Sequence, residues 1–113
     1  MWKVVSQSSV SISPVDMDGA SGVDIQWLVS ELDDAPNFFM RRFTVAVEGY
    51  TPKHTHSHEH EVYILSGRGK VFIDNDWHNI EENYAVYIPP EIEHQFVNSG
   101  DEPLIFLCLV PRK

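Results

Sequence analysis

Cysteine is almost missing from this chain. Cys108 is the only one among 113 residues, so no internal disulfide can form. Basic side chains are scarce as well: 8 lysines and arginines stand against 17 acids, for a formal net charge of −9. A surface of that sign repels DNA, RNA and anionic membranes, so the sequence predicts neither nucleic acid nor membrane as a partner. Long apolar runs are absent. The longest extends only from Leu104 to Val110, whereas a membrane-crossing helix needs about 20 such residues. Met1 to Val15 holds one lysine but no continuous apolar stretch, so no secretory signal is read there and a soluble cytoplasmic domain is expected. There are no heptads, repeats or low-complexity linkers. No Ser-His-Asp set, phosphate loop or paired-cysteine zinc spacing appears, which sets aside serine hydrolase, NTPase and zinc-finger chemistry.

What is present suits a single compact domain. Hydrophobic residues make up 42% and aromatics 12%, enough to exclude a disordered chain. The pattern is one of short β-rich runs broken by turn residues: Phe38 to Val47, Glu61 to Leu65, Lys70 to Asp74, Trp77 to Ile80, Tyr84 to Ile88, His94 to Val97 and Leu104 to Val110. Asn75-Asp76 reads as a tight hairpin turn, and Pro89-Pro90 ends a strand. Leu104 to Val110 is continuously apolar and is expected to be buried on both faces. An all-β sandwich or barrel follows. Residues 1–36 are less regular, with Val4-Val5, Val10 to Ile12 and Val23 to Val29 as possible strands. They are expected to form an arm packing on a barrel of residues 37–113 or on a second subunit. The apolar spots of that arm, together with open sheet edges, predict a homodimer.

The stretch His54-Thr55-His56-Ser57-His58-Glu59-His60 concentrates four of the six histidines. Residues i and i+2 of a strand share a face about 7 Å apart. Two such imidazoles can lean toward one ion. Four in a straight row cannot all come within the roughly 2.0–2.2 Å that a metal–nitrogen bond needs. The chain must bend, and later residues must supply further ligands. His94, opening a strand after Pro89-Pro90, is well set for this; His78, in a hairpin arm, is not.

Gly49-x4-His54-x-His56-x3-His60-x6-Gly67 resembles the first cupin motif, and Pro89-x-Glu91-x2-His94-x3-Asn98 resembles the second. The Asp34-Ala35-Pro36-Asn37-Phe38 turn and the Leu107-Cys108-Leu109-Val110-Pro111 ending extend the likeness to small single-domain cupins that bind manganese through four histidines. The resemblance implies a double-stranded β-helix barrel, jelly-roll-like, with His54, His56, His60 and His94 around one divalent ion. The family usually has Glu as third ligand. The spacing to Gly67 puts His60 there, with Glu61, His58 and Glu59 as the competing choices. Strand alternation separates His60, Val62 and Ile64 from Glu61, Tyr63 and Leu65. Glu48 stands at the first motif's leading glycine position, beside Gly49, and Asn83 and Glu91 occupy glycine positions of the second.

Four neutral imidazoles leave an ion its full charge and, on an octahedral metal, two open positions. Imidazole accommodates manganese, iron, nickel, copper and zinc alike; the resemblance favours manganese or iron. It also implies that Phe106 and Cys108, which share a face of the last strand, look into the pocket, and that Arg41 can hold a carboxylate. Phe96 shares the face of His94. Tyr63, Tyr84 and Tyr87 are candidate proton donors. Two functions remain open: a small-molecule oxygenase, isomerase or lyase, and a non-catalytic module that binds or senses a small ligand through the metal.

Overall fold

The computed structural model describes residues 1–112. Its strands are β1 (Ser13–Pro14), β2 (Ser21–Val29), β3 (Phe38–Tyr50), β4 (His60–Ser66), β5 (Arg68–Ile73), β6 (Asp76–Glu81), β7 (Ala85–Ile88), β8 (His94–Asn98) and β9 (Leu104–Pro111). All pair antiparallel. One group runs β2-β3-β9-β4-β7 and the other β6-β5-β8. They join at the end of the long β3, where Tyr50 pairs with Val97. The sheet therefore curls around one interior, the cupin double-stranded β-helix.

Alternation decides what enters that interior. On β4, His60, Val62 and Ile64 are buried while Glu61 and Tyr63 are exposed. On β9, Leu104, Phe106, Cys108 and Val110 are buried, but the intervening Ile105, Leu107 and Leu109 are only half-buried. The expectation of burial on both faces is thus corrected: the outer face of β9 is apolar without being fully covered. Val45, Ile64, Ile88 and Leu104 are completely enclosed, each worth about 1.5–3 kcal/mol of burial free energy.

Three local readings shift. The β5–β6 turn is Asp74-Asn75, one residue earlier than expected, because Ile73 pairs with Asp76. Both turn residues have positive φ, 53° and 67°, the signature of a two-residue turn matched to strand twist. Tyr84 precedes its strand rather than opening it. Neither Val4-Val5 nor Val10 to Ile12 forms a strand. Of residues 1–36, Ser21–Val29 joins the sheet as β2, in register with β3 through Val23↔Val45, Ile25↔Phe43 and Trp27↔Arg41. The segment before it is tethered from outside by buried Gln26, whose amide donates to the carbonyls of Gln7 (2.8 Å) and Val10 (3.1 Å).

Motif residues outside the histidines hold the turns. Gly67 has φ 90°, and a Cβ there would run into the Pro103 carbonyl. Asn98 is buried, donates to Val45 O (2.9 Å) and Glu102 O (2.8 Å), and accepts from Gly100 N–H (2.9 Å), which fixes the β8–β9 turn. Glu48, Asn83 and Glu91 have φ of 68°, 73° and 68°. The backbone keeps the left-handed conformation although glycine is gone.

Candidate metal centre

The histidines come from three places that the curl brings together. His54 forms an isolated bridge to His94, with His54 N–H donating to His94 O (3.2 Å) and His94 N–H donating to His54 O (3.0 Å). The chain then leaves the sheet through His56 to Glu59 and re-enters with His60 as the first residue of β4. The expected bend lies here. It is held by Glu91 N–H donating to His56 O (2.7 Å).

The ring centroids of His54 and His56 are 4.1 Å apart, those of His60 and His94 4.8 Å, and those of His56 and His60 5.1 Å. The Nε2 atoms of His54 and His56 are 3.0 Å apart. That matches two ligands at right angles on an ion about 2.1 Å from each, since √2 × 2.1 is about 3.0 Å. His94 Nδ1 lies 2.9 Å from Ile92 O. A neutral imidazole there donates from Nδ1 and leaves Nε2 as a lone pair, the usual second contact of a metal-binding histidine. His60 Nε2 is buried with no hydrogen-bond partner among the described residues. A buried orphan nitrogen on a ring beside those of His56, His58 and His94 fits a bound cation, and the all-imidazole donor set suits a transition metal.

Ligand-atom geometry draws two overlapping groups, His54-His56-His94 and His56-His58-His60, which share His56. His58 stacks on His56 at 4.8 Å and 13°, nearer to the cluster than the sequence suggested. His78 is exposed on β6, away from the others. Glu61 faces outward beside Glu59, and burial followed by hydrogen bonding to Glu59 raises its carboxyl. The interior is hostile to positive charge. Burial pushes His60 down to about 3, with His94 and Arg41 adding repulsion, and pushes His56 down to about 4. His54 is lowered for the same first reason. All three are held neutral, as ligation requires.

The cluster forms the floor of a cavity of about 280 Å³, which is also lined by Arg41, Cys108, Phe106 and Phe96. Register explains the first two: Trp27, Arg41, Cys108 and Val62 are successive cross-strand partners on the inner face. Arg41 Nη2 donates to Cys108 Sγ at 3.0 Å, and His60 Nδ1 is 3.4 Å from the same sulfur. Burial pushes the Cys108 thiol up, opposed by Arg41. Tyr63, Tyr84 and Tyr87 are exposed and outside the cavity; Tyr63 Oη donates to Asn83 and Tyr87 Oη to Glu59. They are corrected as proton donors: alternation turns Tyr63 and Tyr87 outward, and Tyr84 lies exposed in the turn before β7. Sequence reasoning missed Val15, Met17, Val23, Ile25 and Trp27 as further walls. Val23, Ile25 and Trp27 carried a signal, since they alternate with Asp24 and Gln26.

No helix among the described residues is long and apolar enough to cross a membrane. The polyketide cyclase RemF from Streptomyces resistomycificus superposes with a TM-score of 0.94 and 29% identity, covering 100% of this chain and 81% of that one. A glucose-6-phosphate isomerase of Pyrococcus abyssi is 39% identical over 70 residues, 55% of this chain and 37% of the relative. A 1-methylthio-D-xylulose 5-phosphate methylsulfurylase of Rhodospirillum rubrum is 37% identical over 71 residues, 63% of this chain and 46% of the relative. The chain thus spans less than half the length of these two curated relatives. The family model for the cupin domain matches residues 41–110, the segment running from Arg41 through both histidine motifs to the end of the buried row on β9, and the chain belongs to the cupin family.

Proposed function

We propose that this protein is a metal-dependent small-molecule enzyme, an oxygenase, isomerase or lyase. One divalent transition-metal ion is held by His54, His56, His60 and His94, manganese or iron being favoured over nickel, zinc or copper. The observation that carries the reading is the buried Nε2 of His60, without a hydrogen-bond partner among the described residues, on a ring 5.1 Å from that of His56 and 4.8 Å from that of His94. The family's range of enzymes supports a catalytic role, since its members here include a cyclase, an isomerase and a methylsulfurylase. Bound at the histidines, the ion supplies Lewis acidity to an oxygen-bearing substrate.

The chain's own groups do the rest. The Ile92 carbonyl holds the His94 tautomer, Arg41 orients an anionic group, and Phe96 and Phe106 exclude water. Among the described residues, no Asp, Glu or Tyr lines the cavity. Classical proton shuttling therefore has few carriers, which favours redox or Lewis-acid chemistry. The same observation supports a second reading, a non-catalytic ligand-binding module. Metal analysis after expression in defined medium, followed by oxygen uptake and product analysis with catechols, flavonols and keto acids, tests both. Turnover that disappears with the metal supports the enzyme; tight binding without turnover supports the module; failure to load any metal removes both. A homodimer is part of the proposal, supported by the exposure of Trp2, Val4, Val5 and Ile12. Light scattering giving about 13 kDa, the mass of one chain, would contradict it.

A further inference from the structure

A fifth histidine meets the other four at the bend. His58 is half-buried and, with Ser57, forms the bend between the His54 bridge and β4. Its ring stacks on that of His56 at 4.8 Å and 13° and lies 5.1 Å from that of His60. The ligand atoms of His56, His58 and His60 all fall within 4.8 Å of one another, as do those of His54, His56 and His94. His56 belongs to both groups. Yet His54, His56, His60 and His94 line the cavity and His58 does not. His58 therefore meets the cluster from the side of the bend.

Two routes lead to the inner histidines, and their chemistry differs. The cavity route passes apolar walls, Val15, Met17 and Trp27 among them, and the Arg41 cation. Among the described residues, no Asp or Glu lines it. A hydrated dication would lose water there before finding a ligand, and would meet a like charge. The bend route is the opposite. His58 is followed by Glu59 and Glu61, which are close enough to share a hydrogen bond, and Glu61 is exposed. Paired surface carboxylates raise the local concentration of cations. His58 is the imidazole next to them in the chain.

We propose that the His56-His58-His60 group is a way station through which the ion enters and leaves the centre. On entry, His56 and His60 keep their bonds while His58 lets go and His54 and His94 take hold; on release the order reverses. Only neutral imidazoles change places, so no proton or electron moves. The inner group is the resting one, because it contains the two Nε2 atoms 3.0 Å apart. This role for His58 rests on the metal reading above and adds a residue that the four-histidine set leaves out.

A residue that holds the ion only in transit lowers the barrier equally in both directions. Its loss slows uptake and release by one factor and leaves affinity nearly unchanged. The probe is cobalt(II), mixed rapidly with metal-free protein and followed by its visible absorption, then withdrawn with excess chelator. Folding is checked by circular dichroism. His58→Ala is expected to slow uptake and release alike by about ten-fold, with affinity within a few-fold of the parent. If His58→Ala does not fold, His58→Gln takes its place, with the same slowing expected. His78→Ala should load at the parent rate. A His54→Ala, His94→Ala double variant should still bind one cobalt weakly, and adding His58→Ala should abolish that binding.

Parent-like rates in the His58 variant overturn the proposal. So does slower uptake with unchanged release, which would make His58 an ordinary ligand. A metal-free His58→Ala overturns it too, by making the outer group the resting site. In each of these cases the parent still loads cobalt and the metal reading stands. A parent that takes up no cobalt sinks both.

Discussion

Arg41 and Arg42 are neighbours on β3 and live in different chemistries. Arg41 faces inward, against Cys108, His60 and two aromatic rings, with no carboxylate partner among the described residues. Arg42 faces outward and donates to Gln7 Oε1 (3.2 Å) and Gln26 Oε1 (3.0 Å), helping to strap the N-terminal segment to the sheet. The same split separates His60 from Glu61 and Cys108 from Leu109. One residue's step along a strand exchanges a pocket of apolar side chains, neutral histidines and one arginine for an acidic surface. Function in this fold is therefore written on one parity of a few strands, and the other parity does structural work.

The largest effects should come from breaking the inner set. His54→Ala, His56→Ala and His94→Ala are each expected to lower metal affinity by more than about 100-fold, beyond the cost of losing a supporting second contact. The outer His78→Ala should leave metal content unchanged in elemental analysis of purified protein. His58→Ala sits between these extremes. If the four-histidine set is right, it loses no more than a few-fold; a metal-free His58→Ala would shift the site to the His56-His58-His60 group.

The inner histidines should also set the response of the metal-free protein to acid. His60 and His56 are held at about 3 and about 4 in the folded state, against 6.5 when exposed. Between those values the unfolded chain binds more protons than the folded one, so stability falls as pH falls. It should be level above about pH 6.5 and decline steadily toward pH 4. Thermal melts across that range check this. A His56→Ala, His60→Ala double variant should flatten the decline, whereas His78→Ala should not.

These contrasts also show what could be read from the sequence. The strands, the bend in the histidine stretch and the inward set of His60 and His94 were legible, because alternation and turn residues are local properties. The walls from β2 were less so. Nothing in residues 1–36 punctuates the chain as sharply as Ser66-Gly67 or Pro89-Pro90, and β2 pairs with β3 through register shifts at both ends. The β5–β6 turn slipped by one because Asp74, Asn75 and Asp76 are all turn formers. The role of Gln26 was invisible, since a buried glutamine in a strand declares itself only through the segment it binds.

On the outer face, Gln26→Ala removes an amide that bonds two backbone carbonyls and an arginine. Leaving those groups unmet is expected to cost about 1–2 kcal/mol in urea unfolding. It should also make the chain near Gln7 to Val10 easier to cleave in limited proteolysis. Metal affinity should be untouched, because the inner parity is intact. A loss of metal in this variant would mean that the two faces are coupled through β2.

The smallest effect tests backbone alone. Glu91 sits at φ 68°, where a side chain costs roughly 1–2 kcal/mol and glycine costs nothing. Its N–H donates to His56 O, so this strained residue helps to place a histidine of the pocket. Glu91→Gly relieves the strain and keeps the N–H, but it gains about 0.5–1 kcal/mol of unfolded-chain entropy to be overcome. The net expectation is a stabilisation of about 0.5 kcal/mol, seen as a small rise in the unfolding midpoint with unchanged metal affinity. Glu48→Gly, at the same φ but beside Gly49, should behave alike in stability. If Glu91→Gly instead lowers metal affinity while Glu48→Gly does not, then the stiffness of a non-glycine residue at position 91 is part of what holds His56 in place.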